Sequence, residues 1–274
     1  MIDYRYSFQP RKHYVCPNCG HKTLKRFLDN TTNQLIAESY GVCERIFSCG
    51  YEKRPNTEKV EYKNYTPKVL IPYYFNHEIM EKTLKRLQIN VLFKFLCGRF
   101  DHERVQQTFE RYKIGTSNFG DTIFWQIDLQ GRIRAGKKIQ YFSDGHRNKA
   151  RGASWLHNQN GFDYAIHELN QTLFGTHLIN PSFSKIYVVE SEKTALICDI
   201  AKKRNDVLFL ACGGLQNLGL IAKIKTDCPI FCIPDNDGNE IWQDKINKLN
   251  LNAKIEIIPK LQEMKRGSDI GDLL

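Results

Sequence analysis

The sequence predicts an α/β protein whose last third is a parallel sheet with helices on both faces. From residue 185 onward, short apolar runs alternate with helix-like segments, the pattern of consecutive β-α-β units. Near the N-terminus, paired cysteines flank two strand-like runs, which indicates a zinc ribbon. We therefore expect a ribbon over residues 1–60, a basic α+β subdomain over 61–180 and a catalytic α/β domain over 181–274.

Charge is distributed unevenly along the chain. The 274 residues include 40 Lys and Arg against 30 Asp and Glu, a net charge of +10. Residues 180–274 contain 13 of each kind, so the whole excess lies in residues 1–179. A basic N-terminal part predicts contact with a polyanion such as nucleic acid. The alternative is that the charge only keeps the protein soluble.

The composition favours a soluble, cytoplasmic protein with no membrane contact. No stretch approaches the roughly 20 apolar residues of a membrane-spanning helix. The N-terminus has no apolar segment of a secretory signal. In a reducing compartment the nine cysteines are expected to be metal ligands or buried thiols. Five of them lie in apolar context and are expected in the core: Cys97, Cys198, Cys212, Cys228 and Cys232.

The four remaining cysteines predict a structural Zn²⁺ site. Cys16 and Cys19 form a Cys-x₂-Cys turn, and Cys43 and Cys49 form a looser pair with five residues between them. His13 and His21 are possible substitutes, and unligated thiols are the alternative. The segment between the pairs should form two strands around the turn NTTN.

The middle of the chain predicts a basic surface. Residues 55–75 suggest an extended linker, Asn76 should cap a helix through about Leu96, and Asp101 should cap a second. A hairpin with its turn at 129–131 follows. Seven basic residues there are candidates for holding template or triphosphate, unless they form only a solvated face: Arg132, Arg134, Lys137, Lys138, Arg147, Lys149 and Arg151.

Carboxylates stand at the ends of two apolar runs in the last third. Glu190 ends KIYVVE, and Asp235 and Asp237 follow PIFCIP. Ligands in open α/β sheets bind beyond the carboxyl ends of the strands, so these acids predict a Mg²⁺ or Mn²⁺ site. Asp269 and Asp272 could add metal contacts. The alternatives are a helix cap at Glu190 and a simple turn at 235–238.

Three further residues of this region are candidates for contact with phosphate. Gly213 and Gly214 could admit a nucleic-acid or nucleotide backbone, because glycine permits close approach. Lys193 lies one turn into the helix that follows Glu190, where contact with phosphate and simple solvation are both open.

These motifs resemble those of a known family. VVESEKTAL, ACGGLQNLG, FCIPDNDGNEIW and GSDIGDLL look like the motifs of a Toprim domain, the catalytic fold of bacterial primases, of topoisomerases and of some nucleases. The order of ribbon, basic subdomain and Toprim domain is similar to that of bacterial-type primases. The chain therefore resembles small Toprim primase-like proteins of mobile elements.

The resemblance implies a DNA primase, a nucleotidyltransferase that makes short RNA primers on single-stranded DNA from ribonucleoside triphosphates. It implies that Glu190 is the general acid/base and a metal ligand, and that Asp235, Asp237 and Asp269 hold Mg²⁺. Lys137 and Lys138 fall where the family contacts template and nucleotides, and the ribbon would help to select the template. A replicative helicase is a possible partner.

The sequence departs from the family at several positions, which leaves other functions open. Ser191 stands where the family often has Gly, Thr194 where it often has Asp, and Cys19 where cellular primases often have His. The alternatives are a Toprim metal-dependent nuclease and a non-catalytic nucleic-acid-binding accessory of a mobile element.

Overall fold

A computed structural model describes residues 5–10, 12–56, 70–163 and 166–274. The chain forms two compact units, residues 1–69 and 70–274. The linker predicted at 55–75 lies mostly outside the described residues. Among those that are described, no helix has the length and apolar character needed to cross a membrane.

The first unit is a small antiparallel sheet with one short helix. Its sheet has the order β1-β2-β4-β5, and β3 pairs with β2 on the far side of the NTTN turn, as predicted. Its elements are β1 (Tyr6–Phe8), β2 (Leu24–Asp29), β3 (Gln34–Leu35), β4 (Gly41–Cys43), α1 (Ile46–Cys49) and β5 (Glu52–Lys53).

Four cysteines lie together in this unit. The ligand atoms of Cys16, Cys19, Cys43 and Cys49 are all within 4.8 Å of one another. The Sγ atoms of Cys16 and Cys49 are 3.6 Å apart, and those of Cys19 and Cys43 are 3.9 Å apart. Tetrahedral Zn²⁺ with bonds of about 2.3 Å requires sulfurs about 3.8 Å apart, so the four residues fit structural zinc. His13 contacts Glu44 instead.

The second unit begins with helices packed beside a mostly antiparallel sheet. Its four-stranded sheet has the order β10-β9-β8-β7, and β8 and β9 form the predicted hairpin; β6 and β11 pair separately, in parallel. The elements are β6 (Ile71–Pro72), α2 (His77–Leu84), α3 (Val91–Cys97), α4 (His102–Arg111), β7 (Gly115–Thr116), β8 (Thr122–Ile127), β9 (Ile133–Ile139), β10 (Ala153–Trp155) and β11 (His167–Glu168).

The single helix predicted from Asn76 to about Leu96 is wrong: the structure has two helices, α2 and α3. Asn90 separates them because its buried side chain caps α3, where Oδ1 accepts from the Phe93 N–H at 3.0 Å. The same amide donates to Thr116 Oγ1 and accepts from Thr122 Oγ1. These tertiary contacts satisfy a polar group that would otherwise be costly to bury.

The second unit ends in a parallel sheet of order β13-β12-β14-β15. Its elements are β12 (Lys185–Val189), α5 (Glu192–Ala201), β13 (Val207–Ala211), β14 (Ile230–Ile233), α6 (Asn239–Lys248), β15 (Lys254–Ile255) and α7 (Pro259–Gln262). The helix-like segment that follows β13 forms a 3₁₀ helix, Leu215–Lys223, which begins without a side-chain cap.

The strand order creates a switch point between β12 and β14. The connection from β12 to β13 runs one way across the sheet, and the later connections run the other way. Because parallel crossovers are right-handed, α5 covers one face and α6 covers the other. Ligand sites in such sheets lie at this point, beyond the carboxyl ends of the two strands.

A continuous apolar core joins the helices, the hairpin and the parallel sheet of residues 70–274. Buried Asp199 on α5 adds polar contacts across it. Its carboxylate pairs with Arg111 of α4 and with Lys202 Nζ at 2.7 Å, and it accepts hydrogen bonds from Thr108 and Tyr112. The parts predicted to divide at residue 180 therefore share one interior.

We predict that Cys43→Ser abolishes zinc binding and unfolds the ribbon while residues 70–274 keep their fold. The buried side chains of the described ribbon are those of Cys16, Leu24, Phe27, Asp29 and Cys43, too few to hold it without metal. Zinc content by mass spectrometry and amide chemical-shift dispersion by NMR would report both effects. Cys228→Ser, at a thiol remote from the ribbon in sequence, should keep the zinc; a folded, zinc-free Cys43→Ser protein would contradict the prediction.

Candidate functional site

Three acidic residues meet at the carboxyl edge of the parallel sheet. Glu190 directly follows β12, and Asp235 and Asp237 follow β14. The two strands are paired in register up to Val189 and Ile233, so the residues that leave them emerge side by side. The structure thus brings together the residues that the sequence placed at separate strand ends.

The carboxylates are close enough to repel one another. Burial, then the charges of Glu190, Asp269 and Asp237, raise the pKa of Asp235 to about 7. Burial and Asp237 likewise raise the pKa of Glu190. Each carboxyl group therefore loses its proton less readily than it would in water.

Asp269 is held at the same site by its own hydrogen bonds. It caps the 3₁₀ helix Ile270–Leu273, where its Oδ1 accepts from the Gly271 N–H at 2.7 Å. Its Oδ2 accepts from Thr194 Oγ1 at 2.5 Å. Asp272 completes a capping box with it, so both late acids are fixed beside the strand ends.

Asn236, between the two aspartates, ties down the segment that precedes Asp269. Its side chain donates to the carbonyls of Met264 and Lys265, each at 2.8 Å, and accepts from the Gly267 N–H at 2.8 Å. Its own N–H donates to the Ser268 carbonyl at 3.0 Å. Residues 264–268 are consequently bound to the acidic turn.

The acidic residues fit Mg²⁺ or Mn²⁺. They offer only hard oxygen donors, they are partly buried, and a cation would relieve the repulsion among them. Within the described chain, only the four cysteines place three or more ligand atoms within 4.8 Å of one another. The acids are more widely spaced, which suits Mg²⁺ held by one or two carboxylates together with water and substrate phosphate.

A cavity of about 260 Å³ opens beside Glu190 and Asp269, between β9 and the start of α5. Its charged lining consists of Glu190, Glu192 and Asp269 together with Lys137, Arg147 and Lys193. The backbone of Gly213 and Gly214 lines it as well. Acids and cations thus share one open space of a size that can admit part of a nucleotide.

Lys137, predicted to contact template or nucleotide, is engaged in a buried ion pair. Its Nζ lies 2.9 and 3.0 Å from the two carboxylate oxygens of Glu192 and 3.2 Å from the Gly213 carbonyl. An ammonium group has three donors, so all of them are used. One side chain thereby joins β9, the first residue of α5 and the turn after β13.

The ion pair also accounts for Gly213. A Cβ on this residue would lie 2.8 Å from Glu192 Oε1 and 3.2 Å from Lys137 Nζ. Gly213 has a φ of +72°, a conformation that favours glycine. Its N–H donates to the Glu190 carbonyl at 2.8 Å, which ties the turn to the catalytic candidate.

Two of the other predicted basic residues face the cavity. Arg147 lies in a bridge opposite Tyr141, and Lys193 Nζ donates to the Gly145 carbonyl at 3.1 Å. Neither has a carboxylate at ion-pair distance within the described part of the chain. They are therefore the cations of the cavity that remain available to an anionic ligand.

The remaining predicted basic residues do not line the cavity. Arg132 and Arg134 pair with Asp128 at 2.8 and 2.6 Å, and both guanidinium groups lie over the Tyr74 ring. Lys138 alternates with Lys137 along β9 and so points to the other face. Lys149 is exposed in the loop that follows.

Sequence patterns missed Glu192, Asn236 and Arg266. Glu192 follows Glu190 by two residues, but only the position of Lys137 across the cavity shows its role. Arg266 Nε donates to Asp237 Oδ2 at 2.9 Å, across 29 residues of sequence. The only local signal was the Asn between two aspartates, which is also typical of an ordinary turn.

We predict that Lys137→Met and Glu192→Met each lower the free energy of unfolding by about 3–5 kcal/mol, because each leaves a buried charge without its partner. The double variant should be more stable than either single variant. Chemical denaturation measures all three. Lys138→Met, on the other face of the strand, is the matched control, and single variants as stable as this control would contradict the prediction.

We also predict that Asp235→Asn stabilises the metal-free protein at pH 8. Between the usual pKa of 3.8 and about 7, the folded state keeps a proton that the unfolded chain has lost, so stability falls as the pH rises through this range. The substitution removes that cost, and we expect a gain of roughly 1 kcal/mol, or about 2–4 °C in melting temperature.

The gain should nearly vanish at pH 4, where Asp235 is protonated in the folded protein. Mg²⁺ should raise the melting temperature of the wild type more than that of Asp235→Asn. Thermal unfolding at both pH values measures this, with exposed Glu263→Gln as the control. A variant less stable than wild type at pH 8 would show that the acids do not repel one another as described.

Comparison with solved structures gives distant similarities. The primase fragment of the bacteriophage T7 primase-helicase protein is 16% identical, with 92% of this chain and 91% of that chain covered and a TM-score of 0.40. A chain in the structure of bacteriophage T7 lagging-strand DNA polymerase interacting with primase domains is 15% identical, with 61% and 80% covered and a TM-score of 0.40. No curated protein matches the sequence.

Two family profiles match the chain. Residues 4–64 match a family described as a zinc beta-ribbon finger, in agreement with the four clustered cysteines. Residues 90–236, more than half of the chain, match a second profile that covers the hairpin, Glu190 and Asp235. The chain belongs to the family described as a domain of unknown function (DUF6371).

Proposed function

We propose that this protein is a metal-dependent nucleotidyltransferase that makes short RNA primers on single-stranded DNA. The observation that carries the proposal is the shared cavity, where Glu190 and Asp269 face Arg147 and Lys193. Transfer of a nucleotidyl group requires cations to offset charge on the phosphates and a carboxylate near the attacking hydroxyl. The carboxylate edge of the sheet and the loop that carries Arg147 supply these two requirements from opposite sides.

The acids of the strand ends and the cations of the cavity have separate proposed parts in the reaction. Mg²⁺ or Mn²⁺, held by Asp235 and Asp237 with help from Glu190 and Asp269, would offset charge on the reacting phosphates. Arg147 and Lys193 bind the triphosphate of the incoming ribonucleotide.

Glu190 accepts the proton of the primer 3′-hydroxyl as that oxygen attacks the α-phosphorus and pyrophosphate leaves. Its raised pKa makes it a better base than an ordinary carboxylate.

In this proposal Lys137 and Glu192 have a positioning role and do not contact the substrate. Their pair fixes the turn at Gly213 against the start of α5, and thereby fixes the backbone of Glu190. Gly214, with a φ of +134°, lines the cavity and is proposed to let a phosphate approach the backbone.

We propose that the template is held outside the cavity. Arg132, Lys138 and Lys149 offer positive charge on the hairpin and the following loop. Arg134 is buried and paired with Asp128, so it is left out of this surface. The zinc ribbon adds the exposed cations among its described residues, such as Lys22, Arg45 and Lys53. In this assignment residues 61–180 hold template and nucleotide, and residues 181–274 carry out catalysis.

Primer synthesis tests the proposal. The wild type, incubated with single-stranded DNA, labelled ribonucleotides and Mg²⁺ or Mn²⁺, should produce short labelled RNA. Glu190→Gln and Asp235→Asn should reduce the rate by about 10²-fold or more. At subsaturating Mg²⁺ the rate should also fall as the pH drops below about 7, because protons then compete with the metal for Asp235.

Glu263→Gln, which changes an exposed acid, serves as the control and should retain the wild-type rate. Degradation of the DNA by the wild type, but not by Glu190→Gln, would identify a nuclease instead. DNA binding without either reaction would identify a non-catalytic accessory.

A further inference from the structure

Arg266 forms an ion pair with Asp237, one of the candidate metal ligands. Its Nε donates to Asp237 Oδ2 at 2.9 Å, while 87% of its own side chain and 40% of that of Asp237 are exposed. Ion pairs this exposed to solvent are weak, because water screens them and the long side chain loses freedom. The contact therefore places a positive charge against Asp237 but can be exchanged readily.

The backbone of Arg266 is held by hydrogen bonds although its side chain is exposed. The flanking residues Lys265 and Gly267 are both hydrogen bonded to the Asn236 side chain. Gly267 has a φ of +78°, which sets the turn, and Asp269 follows two residues later. Arg266 is thus anchored beside the acidic turn, with only its side chain able to change position.

A divalent cation and a guanidinium group compete for the same oxygen. Two positive charges a few Å apart repel each other, so an ion that binds Asp237 Oδ2 weakens its contact with Arg266. The guanidinium that is released remains within a side-chain length of the ion. Phosphate oxygens are the ligands that suit it best there, because the planar guanidinium binds them through two parallel hydrogen bonds.

We propose that Arg266 couples metal binding to triphosphate binding: it pairs with Asp237 in the metal-free protein and binds a phosphate of the substrate once metal has taken its place. This inference rests on the function proposed above and adds a residue that contacts substrate. Its consequence is that metal alone binds weakly, whereas metal together with triphosphate binds well. The coupling is reciprocal, because each ligand must raise the affinity of the other by the same factor.

Opposite effects of one substitution distinguish this role from a structural one. Arg266→Ala should tighten binding of metal alone by about two- to fivefold, since the competitor of the metal is gone. The same substitution should weaken binding of the Mg²⁺ complex of inorganic triphosphate by about tenfold, since a charged hydrogen bond to phosphate is lost. Arg266→Lys keeps the charge but lacks the two-pronged geometry, so both effects should be smaller.

The experiment uses the full-length, zinc-loaded protein. Titration with Mn²⁺, followed by electron paramagnetic resonance of the free ion, measures the affinity for metal alone. Calorimetric titration with inorganic triphosphate and Mg²⁺ measures the second affinity. Lys265→Ala is the matched control, because it removes the same charge from the neighbouring residue without touching Asp237, and it should change both constants little.

The outcomes separate this inference from the proposed function. Mn²⁺ binding by the wild type that Asp235→Asn does not weaken would overturn both. Binding that Asp235→Asn weakens, with Arg266→Ala indistinguishable from Lys265→Ala, would overturn the role of Arg266 alone. Arg266→Ala that weakens both affinities would also overturn it, because Arg266 would then only stabilise the loop.

Discussion

Repulsion among the carboxylates at the ends of β12 and β14 is the constraint on which the rest of the site depends. The parallel sheet brings Glu190 and Asp235 together, and a partly buried pair of this kind destabilises the fold unless its charge is offset. The surroundings provide partial compensation. Thr194 donates to Asp269, and Arg266 pairs with Asp237. Asp235, the most strongly affected carboxyl, has its pKa raised to about 7 by burial and by its acidic neighbours.

A buried ion pair, Lys137 with Glu192, lines the same cavity. Unlike the carboxylates at the strand ends, both of its charges are paired. The three N–H donors of Lys137 bind the two Glu192 carboxylate oxygens and the Gly213 carbonyl. A pair this deeply buried adds little net stability. It fixes the relative position of the elements it joins, because any movement that separates the two partners leaves an unpaired buried charge. The hairpin, α5 and the turn after β13 are held in one geometry around Glu190. Arg147 and Lys193 line the same cavity as this pair, together with Glu190 and Asp269.

The sequence predicted the parts of the structure that local patterns determine. Alternating apolar runs predicted the parallel sheet, the spacing of cysteines predicted the ribbon, and both are observed. The features that the sequence did not predict depend on contacts between residues far apart in the chain. The predicted helix is interrupted at Asn90 because the Asn90 side chain forms hydrogen bonds with Thr116 and Thr122. Lys137 forms an ion pair with Glu192, which is 55 residues away in the sequence and close only in the fold. A count of basic residues cannot separate Lys137 from Arg147, since only packing distinguishes a buried, paired cation from an available one.

The central claim is that the carboxylate edge of the parallel sheet holds a divalent metal ion. The most direct test is a crystal structure of the full-length protein grown with Mn²⁺, with anomalous scattering measured at the manganese edge. The account predicts a manganese peak at oxygens of Asp235 and Asp237, near Glu190, in addition to zinc among the four cysteines. Well-ordered acidic side chains with no manganese peak between them, at a Mn²⁺ concentration that saturates any binding seen in solution, would contradict it.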